Sequence, residues 1–139
     1  MQIGIGALSR ETGIKVPTIR YYEKIGLVPE GDRTAGNQRR YDQADIDRLR
    51  FIRHARALGF DLAAIRELLA MSEKPQASCH EADSIAREHL AEVDRRIAQL
   101  QALREELGRM ISECSPGRIC DCKVINVLAD HANCLHDQH

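Results

Sequence analysis

Tryptophan is absent from this 139-residue chain, and aromatic residues are limited to two Phe and three Tyr. So few large rings, in a background rich in Ala, Leu, Ile, Arg and Glu, predict a mainly α protein. No apolar run is long enough to span a bilayer, which excludes a transmembrane helix. The first residues, Met1-Gln2-Ile3-Gly4, lack the basic-then-apolar order of a secretory signal, and a cytoplasmic location is expected. Cysteine is not scarce. Five thiols, an odd number, in a reducing compartment argue for metal or redox chemistry over a disulfide frame.

The net charge of −1 hides an asymmetry. Residues 1–75 hold 13 Lys/Arg against 10 Asp/Glu (net +3), whereas residues 76–139 hold 7 against 11 (net −4). The basic half is the better candidate for polyanion contact, the acidic half for dimerisation or regulation.

Punctuation along the chain divides it. Residues 3–12 pattern as a short helix with Ile5 and Leu8 inward, broken at Gly13. Pro17 suits the first turn of a second helix, running to Ile25 and ending at Gly26, because its missing N–H costs nothing there. Helix, short Gly-containing turn, helix is the helix-turn-helix layout. Gly36-Asn37, flanked by Arg33 on one side and Arg39 and Arg40 on the other, is a turn signal and predicts a small β-wing. Asp42 is placed to cap a helix over 43–58, with Asp45 three residues on as a partial capping box. Asp61 caps a further helix, LAAIRELLAM. The boundaries expected are a winged helix-turn-helix domain over 1–71, a linker over 72–78, a long helix over 79–112, and a loop, short helix and tail over 113–139.

Between Cys79 and Ser112 there is no proline, and Gly108 is the one glycine. Ala86, Leu90, Val93, Ile97, Leu100, Arg104, Leu107 and Ile111 recur at alternating spacings of four and three, a heptad seam apolar at all but Arg104. That seam predicts a two-stranded coiled coil, and the cysteines suggest its sense. At about 1.5 Å per residue the ends of this helix lie roughly 50 Å apart, so Cys79 and Cys114 of one chain do not easily meet. Two antiparallel copies would bring Cys79 of one to Cys114 of the other, the arrangement of a dimeric sensor.

On the second helix, Thr18, Arg20 and Tyr21 are candidate DNA contacts: Arg pairs with guanine edges or phosphates, and Thr and Tyr donate to phosphates. Arg33, Arg39, Arg40 and Tyr41 are candidate backbone contacts of the wing. The stretch TIRYYEKIGLVPEGDRTAGNQRRYDQADIDRLRFIRHARALGFDLAAIRELL strongly resembles the winged-helix domain of the MerR (mercury-resistance regulator) family, through residues 3–71, and the helix and cysteine loop beyond it resemble the family's metal-responsive members. IRYYE and RFIRHARALGF are its most specific parts. The resemblance implies a homodimer that binds double-stranded promoter DNA between elements spaced too far apart for RNA polymerase. Effector binding then bends and untwists the DNA so that the elements realign. Carried over position by position, Arg20, Tyr21, Arg33, Arg39 and Tyr41 match the family's DNA contacts, while Gln38 and Arg40 stand where the family varies.

The resemblance also implies metal ligands. Cys114 and Cys122 match the cysteines bracketing the family's metal loop, and Cys79 matches the thiol that the divalent-metal branch contributes from the partner subunit. Three thiolates favour Zn(II), Cd(II), Pb(II) or Hg(II), whereas two suffice for linear Cu(I). The chain departs from the pattern in places. The eight-residue step from Cys114 to Cys122 resembles the copper branch, whose members carry Ser at the position of Cys79. Ser115 stands where the zinc branch has a further thiol, Cys120 is an additional candidate ligand, and His131, Cys134, His136 and His139 form a His/Cys-rich tail that is a candidate capture arm. The alternatives are a Cu(I) regulator, an iron–sulfur redox sensor, a structural zinc protein and a Cys/His enzyme. The spacing C-x5-C-x-C-x11-C fits the family's iron–sulfur branch poorly. No cysteine lies beside a base in a pocket-forming pattern, so an enzyme is not expected.

Overall fold

The computed structural model describes residues 2–113 and 122–130. It comprises α1 (Ile5–Thr12), α2 (Val16–Lys24), β1 (Asp32–Arg33), β2 (Arg39–Arg40), α3 (Gln43–Ala57), α4 (Leu62–Ser72), α5 (His80–Ser112) and α6 (Lys123–Ala129). Two compact units divide inside α5: residues 1–85 and residues 86–139.

In the first unit, α1 to α4 close around Leu8, Ile19, Leu27, Leu49, Ile52 and Ile65, each at most 1% exposed. Local chemistry sets the helix ends. Asp42 and Asp45 form a complete capping box: the Asp45 amide donates to Asp42 (3.1 Å) and the Asp42 amide to Asp45 (2.9 Å). Asp61 accepts from the Ala64 amide at 2.8 Å and caps α4. Gly13 ends α1 with φ +72°, a left-handed turn that costs glycine little.

The first helix begins later than its apolar pattern suggests. Gly4 is extended, and Ile3 exchanges two 2.8 Å backbone bonds with Tyr41, so residues 3 and 4 edge the wing while α1 starts at Ile5. Ser72 is the last residue of α4 and His80 the first of α5, so the segment between them covers residues 73–79, one position later than the expected linker. β1 and β2 pair antiparallel, Asp32 opposite Arg40 and Arg33 opposite Arg39. At the tip the left-handed position falls to Asn37 (φ 62°), not Gly36. Asn is one of the few side chains that tolerates it.

In the second unit, Leu90, Val93, Ile97, Leu100, Leu107 and Ile111 along α5 are 36% to 69% exposed, whereas Met110 and Val127 are buried. Glu81 and Asp83 occupy the first turn of α5 and Arg109 the last, each complementing the helix dipole. Lys123 of α6 pairs with Glu113 at 3.5 Å. No helix among the described residues is long and apolar enough to cross a membrane.

Candidate nucleic-acid interface

Helix α2 turns Ile19, Tyr22 and Glu23 inward and leaves Arg20, Tyr21 and Lys24 outward. Arg20 and Lys24, four apart, therefore share its outer face. Thr18 is half-buried in the first turn, and Tyr21 is exposed, with its ring tilted against Tyr22 at a centroid distance of 6.2 Å. Between α2 and the wing lies an open cleft of about 880 Å³ whose lining includes Arg20, Lys24, Arg33, Arg39, Glu23 and Glu30. Four cations face it against two carboxylates, one of them buried.

That buried carboxylate joins the wing to α2. Glu23 is on α2, with its side chain 2% exposed. It accepts from the Tyr41 hydroxyl at 3.0 Å and the Gly31 amide at 3.3 Å, and pairs with Arg39 at 3.3 Å. The other arm of the Arg39 guanidinium reaches Glu30 at 3.5 Å. Burial first, and the bond to Glu23 second, push the Tyr41 phenol up to about 12. Gly31 sits where the wing closes on this cluster: a Cβ there would come within 2.6 Å of the Arg40 carbonyl and 2.9 Å of the Tyr41 ring.

The candidate contacts therefore differ in kind. Arg20 and Tyr21 are open to solvent, and Arg33 is exposed while holding the Asn37 side chain at 2.9 Å. Arg39 keeps a partly open guanidinium. Tyr41 departs from expectation. It is 1% exposed and its hydroxyl donates to Glu23, so in this structure its side chain is held at the junction of the wing with α2. Nothing local to IRYYE marks Glu23 as a junction, since its partners lie 8, 16 and 18 residues away.

Other arginines of the basic half are engaged within the domain. Arg53 donates to the Thr12 carbonyl at the end of α1 (3.1 Å), and Arg66 donates to the Ile25 and Gly26 carbonyls after α2 (2.8 and 3.3 Å). Arg48 reaches the Leu27 carbonyl at 2.9 Å and Glu73 at 2.6 Å. Cations at helix C-termini satisfy carbonyls that have no partner within the helix. The regional charge thus overstates what is available to DNA.

Of the cysteines, Cys79 is exposed just before α5, where its carbonyl accepts from the Asp83 amide at 2.9 Å. Cys122 is half-buried and N-caps α6, its carbonyl accepting from Asn126 at 3.0 Å. Cys114 and Cys120, and the tail residues His131, Cys134, His136 and His139, lie outside the described residues. Among the described residues no three His, Cys, Asp or Glu side chains gather as a metal site.

Two family models match: MerR HTH family regulatory protein over residues 4–72, and MerR, DNA binding over residues 46–110. The HTH-type transcriptional regulator HmrR of Sinorhizobium medicae is 39% identical over 127 residues, 91% of this chain and 86% of the relative. The HTH-type transcriptional regulator ZntR of Escherichia coli is 44% identical over 111 residues, 79% of each chain. The solved structure of the transcription regulator PbrR691 from Ralstonia metallidurans, in complex with lead(II), superposes with a TM-score of 0.79 at 36% identity, covering 91% of this chain and 98% of that one. The helix-turn-helix, the wing and the long helix agree with these matches, and the chain belongs to the MerR family of transcriptional regulators, which are not enzymes.

Proposed function

We propose that this chain is a homodimeric, metal-responsive transcriptional regulator that binds promoter DNA and, when loaded with a soft divalent ion, activates metal-resistance or efflux genes by distorting it. The observation that carries the DNA half is the cationic cleft between α2 and the wing. Arg20 and Tyr21 enter the major groove with Thr18 at the helix start, and Arg33 and Arg39 hold the flanking phosphates. The exposed apolar seam of α5 supports self-association, since a monomer has no use for a long unburied stripe.

The metal half rests on the thiols and on the lead(II) complex of the similar regulator. Cys114 and Cys122 of one subunit, with Cys79 of the partner subunit, form the ligand set, and Cys120 is a further candidate. An exposed thiol at Cys79 suits a ligand given to a second chain, and Cys122 at the head of α6 links the loop to that helix. Zn(II), Cd(II), Pb(II) and Hg(II) all suit three thiolates. A bound ion supplies a crosslink between subunits. This chain's residues do the rest: Cys122 couples the ligand set to α6, and α5 shifts the balance between two dimer states. The bent, untwisted DNA then presents both promoter elements to RNA polymerase.

The DNA assignment is tested with Arg20→Ala against a promoter duplex that the wild type binds, by fluorescence anisotropy with and without metal. Loss of one base or phosphate contact per subunit weakens binding by at least about tenfold in both states. Equal affinity of variant and wild type would refute the role of Arg20.

A further inference from the structure

Arg39 meets two carboxylates that are not alike. Glu23 is enclosed and bound by the Tyr41 hydroxyl and the Gly31 amide as well, so it belongs to the architecture of the wing. Glu30 has a side chain 62% exposed, lies in the same cleft as Arg20, Lys24 and Arg33, and meets the opposite arm of the guanidinium at 3.5 Å. An acidic side chain there is costly for a surface that must take up a polyanion, yet it lies where an anion would pair with Arg39.

We propose that Glu30 stands in for a DNA phosphate on Arg39, so that in the free protein it holds the guanidinium in the cleft and duplex DNA must displace it. This rests on the DNA-binding reading above. Exposed ion pairs contribute little to stability, so the Glu30–Arg39 contact opens readily. The Glu23–Arg39 contact, in contrast, keeps Arg39 on the wing after Glu30 has left. Glu30 thereby lowers affinity for all duplexes alike, because phosphate contacts carry no sequence information. A regulator tuned this way is displaced more easily from non-specific DNA, where the phosphate contacts supply nearly all the binding.

The test uses the full-length chain, a short duplex of mixed sequence, and anisotropy titrations across a salt series. Glu30→Gln keeps the shape of the side chain and removes its charge. It is expected to bind up to about fivefold tighter at low salt, the scale of an exposed ion pair. The gain should shrink as salt rises, making the salt dependence steeper than that of the wild type, because salt screens the exposed Glu30–Arg39 pair that the wild type must break. The thermal melting curve should be unchanged. In an Arg39→Ala background the same substitution should bring no gain. Unchanged or weaker binding with an unchanged salt slope overturns the proposal. A full gain persisting without Arg39 also overturns it, because Glu30 would then act by general repulsion. Absence of any salt-dependent duplex binding by the wild type would instead refute the DNA-binding reading itself.

Discussion

Glu23 offers almost no surface to a ligand, yet three donors converge on its carboxylate and tie the wing to α2. Tyr41 is the donor whose contribution depends on pH. Its folded-state phenol is raised to about 12 from an ordinary value near 10. Below about pH 10 both folded and unfolded chains keep the proton, and the contribution is fully present. Between pH 10 and about 12 the unfolded chain has lost the proton and the folded chain still holds it, so stability falls as pH rises. Denaturant unfolding of wild type against Tyr41→Phe should show the wild type losing stability more steeply across that window. At neutral pH the variant should be less stable by roughly 1.5–3 kcal/mol, the scale for a hydrogen bond to a charged group. Parallel pH profiles would contradict the assignment. Residues whose signal is local are legible in the sequence: Asp42, Asp61 and Gly13 each act within four residues of themselves. The buried role of Tyr41 and the junction at Glu23 are not, because burial at the wing is decided by partners far away along the chain.

At the scale of elements, the capped helices and the wing follow from periodicity and turn chemistry, whereas the arginine contacts to the ends of α1 and α2 do not. Arg53 and Arg66 reach carbonyls about 40 residues away, and a sequence pattern shows only a basic residue on a helix. The seam of α5 is legible as spacing, and its exposure accords with a face awaiting a second chain. Arg104 interrupts that face; a polar residue at a seam position specifies register at some cost in stability. Leu100, 63% exposed, lies within the stripe. On an isolated helix Leu100→Asp would alter stability by under about 0.5 kcal/mol, as for ordinary surface positions. In a symmetric dimer it removes one buried leucine per chain, about 1.5–3 kcal/mol each, and weakens association by roughly 10²- to 10⁴-fold. Sedimentation should then find a monomer at concentrations where the wild type is a dimer, with the helical spectrum of the first unit retained. Persistence of the dimer would exclude the seam as the interface.

Across the whole molecule, a DNA-binding unit carries its cations toward a cleft, and a second unit carries an exposed apolar seam and the Cys122 that heads α6. Cys79 lies before α5, and that helix, with 33 residues, is about 50 Å long at 1.5 Å per residue. In the proposed dimer, a ligand set joining Cys79 to Cys114 and Cys122 is therefore natural between antiparallel copies. That placement is the central claim, since it makes effector binding and dimer geometry a single event. The most direct measurement is promoter transcription in vitro by the reduced dimer, with metal stoichiometry, for wild type against Cys79→Ser. Activation of the wild type by Zn(II), Cd(II), Pb(II) or Hg(II), with at least about tenfold loss of response in the variant and undiminished DNA binding, is the predicted result for a removed metal ligand. Full divalent response in Cys79→Ser, or equal activation of both proteins by Cu(I), would contradict it.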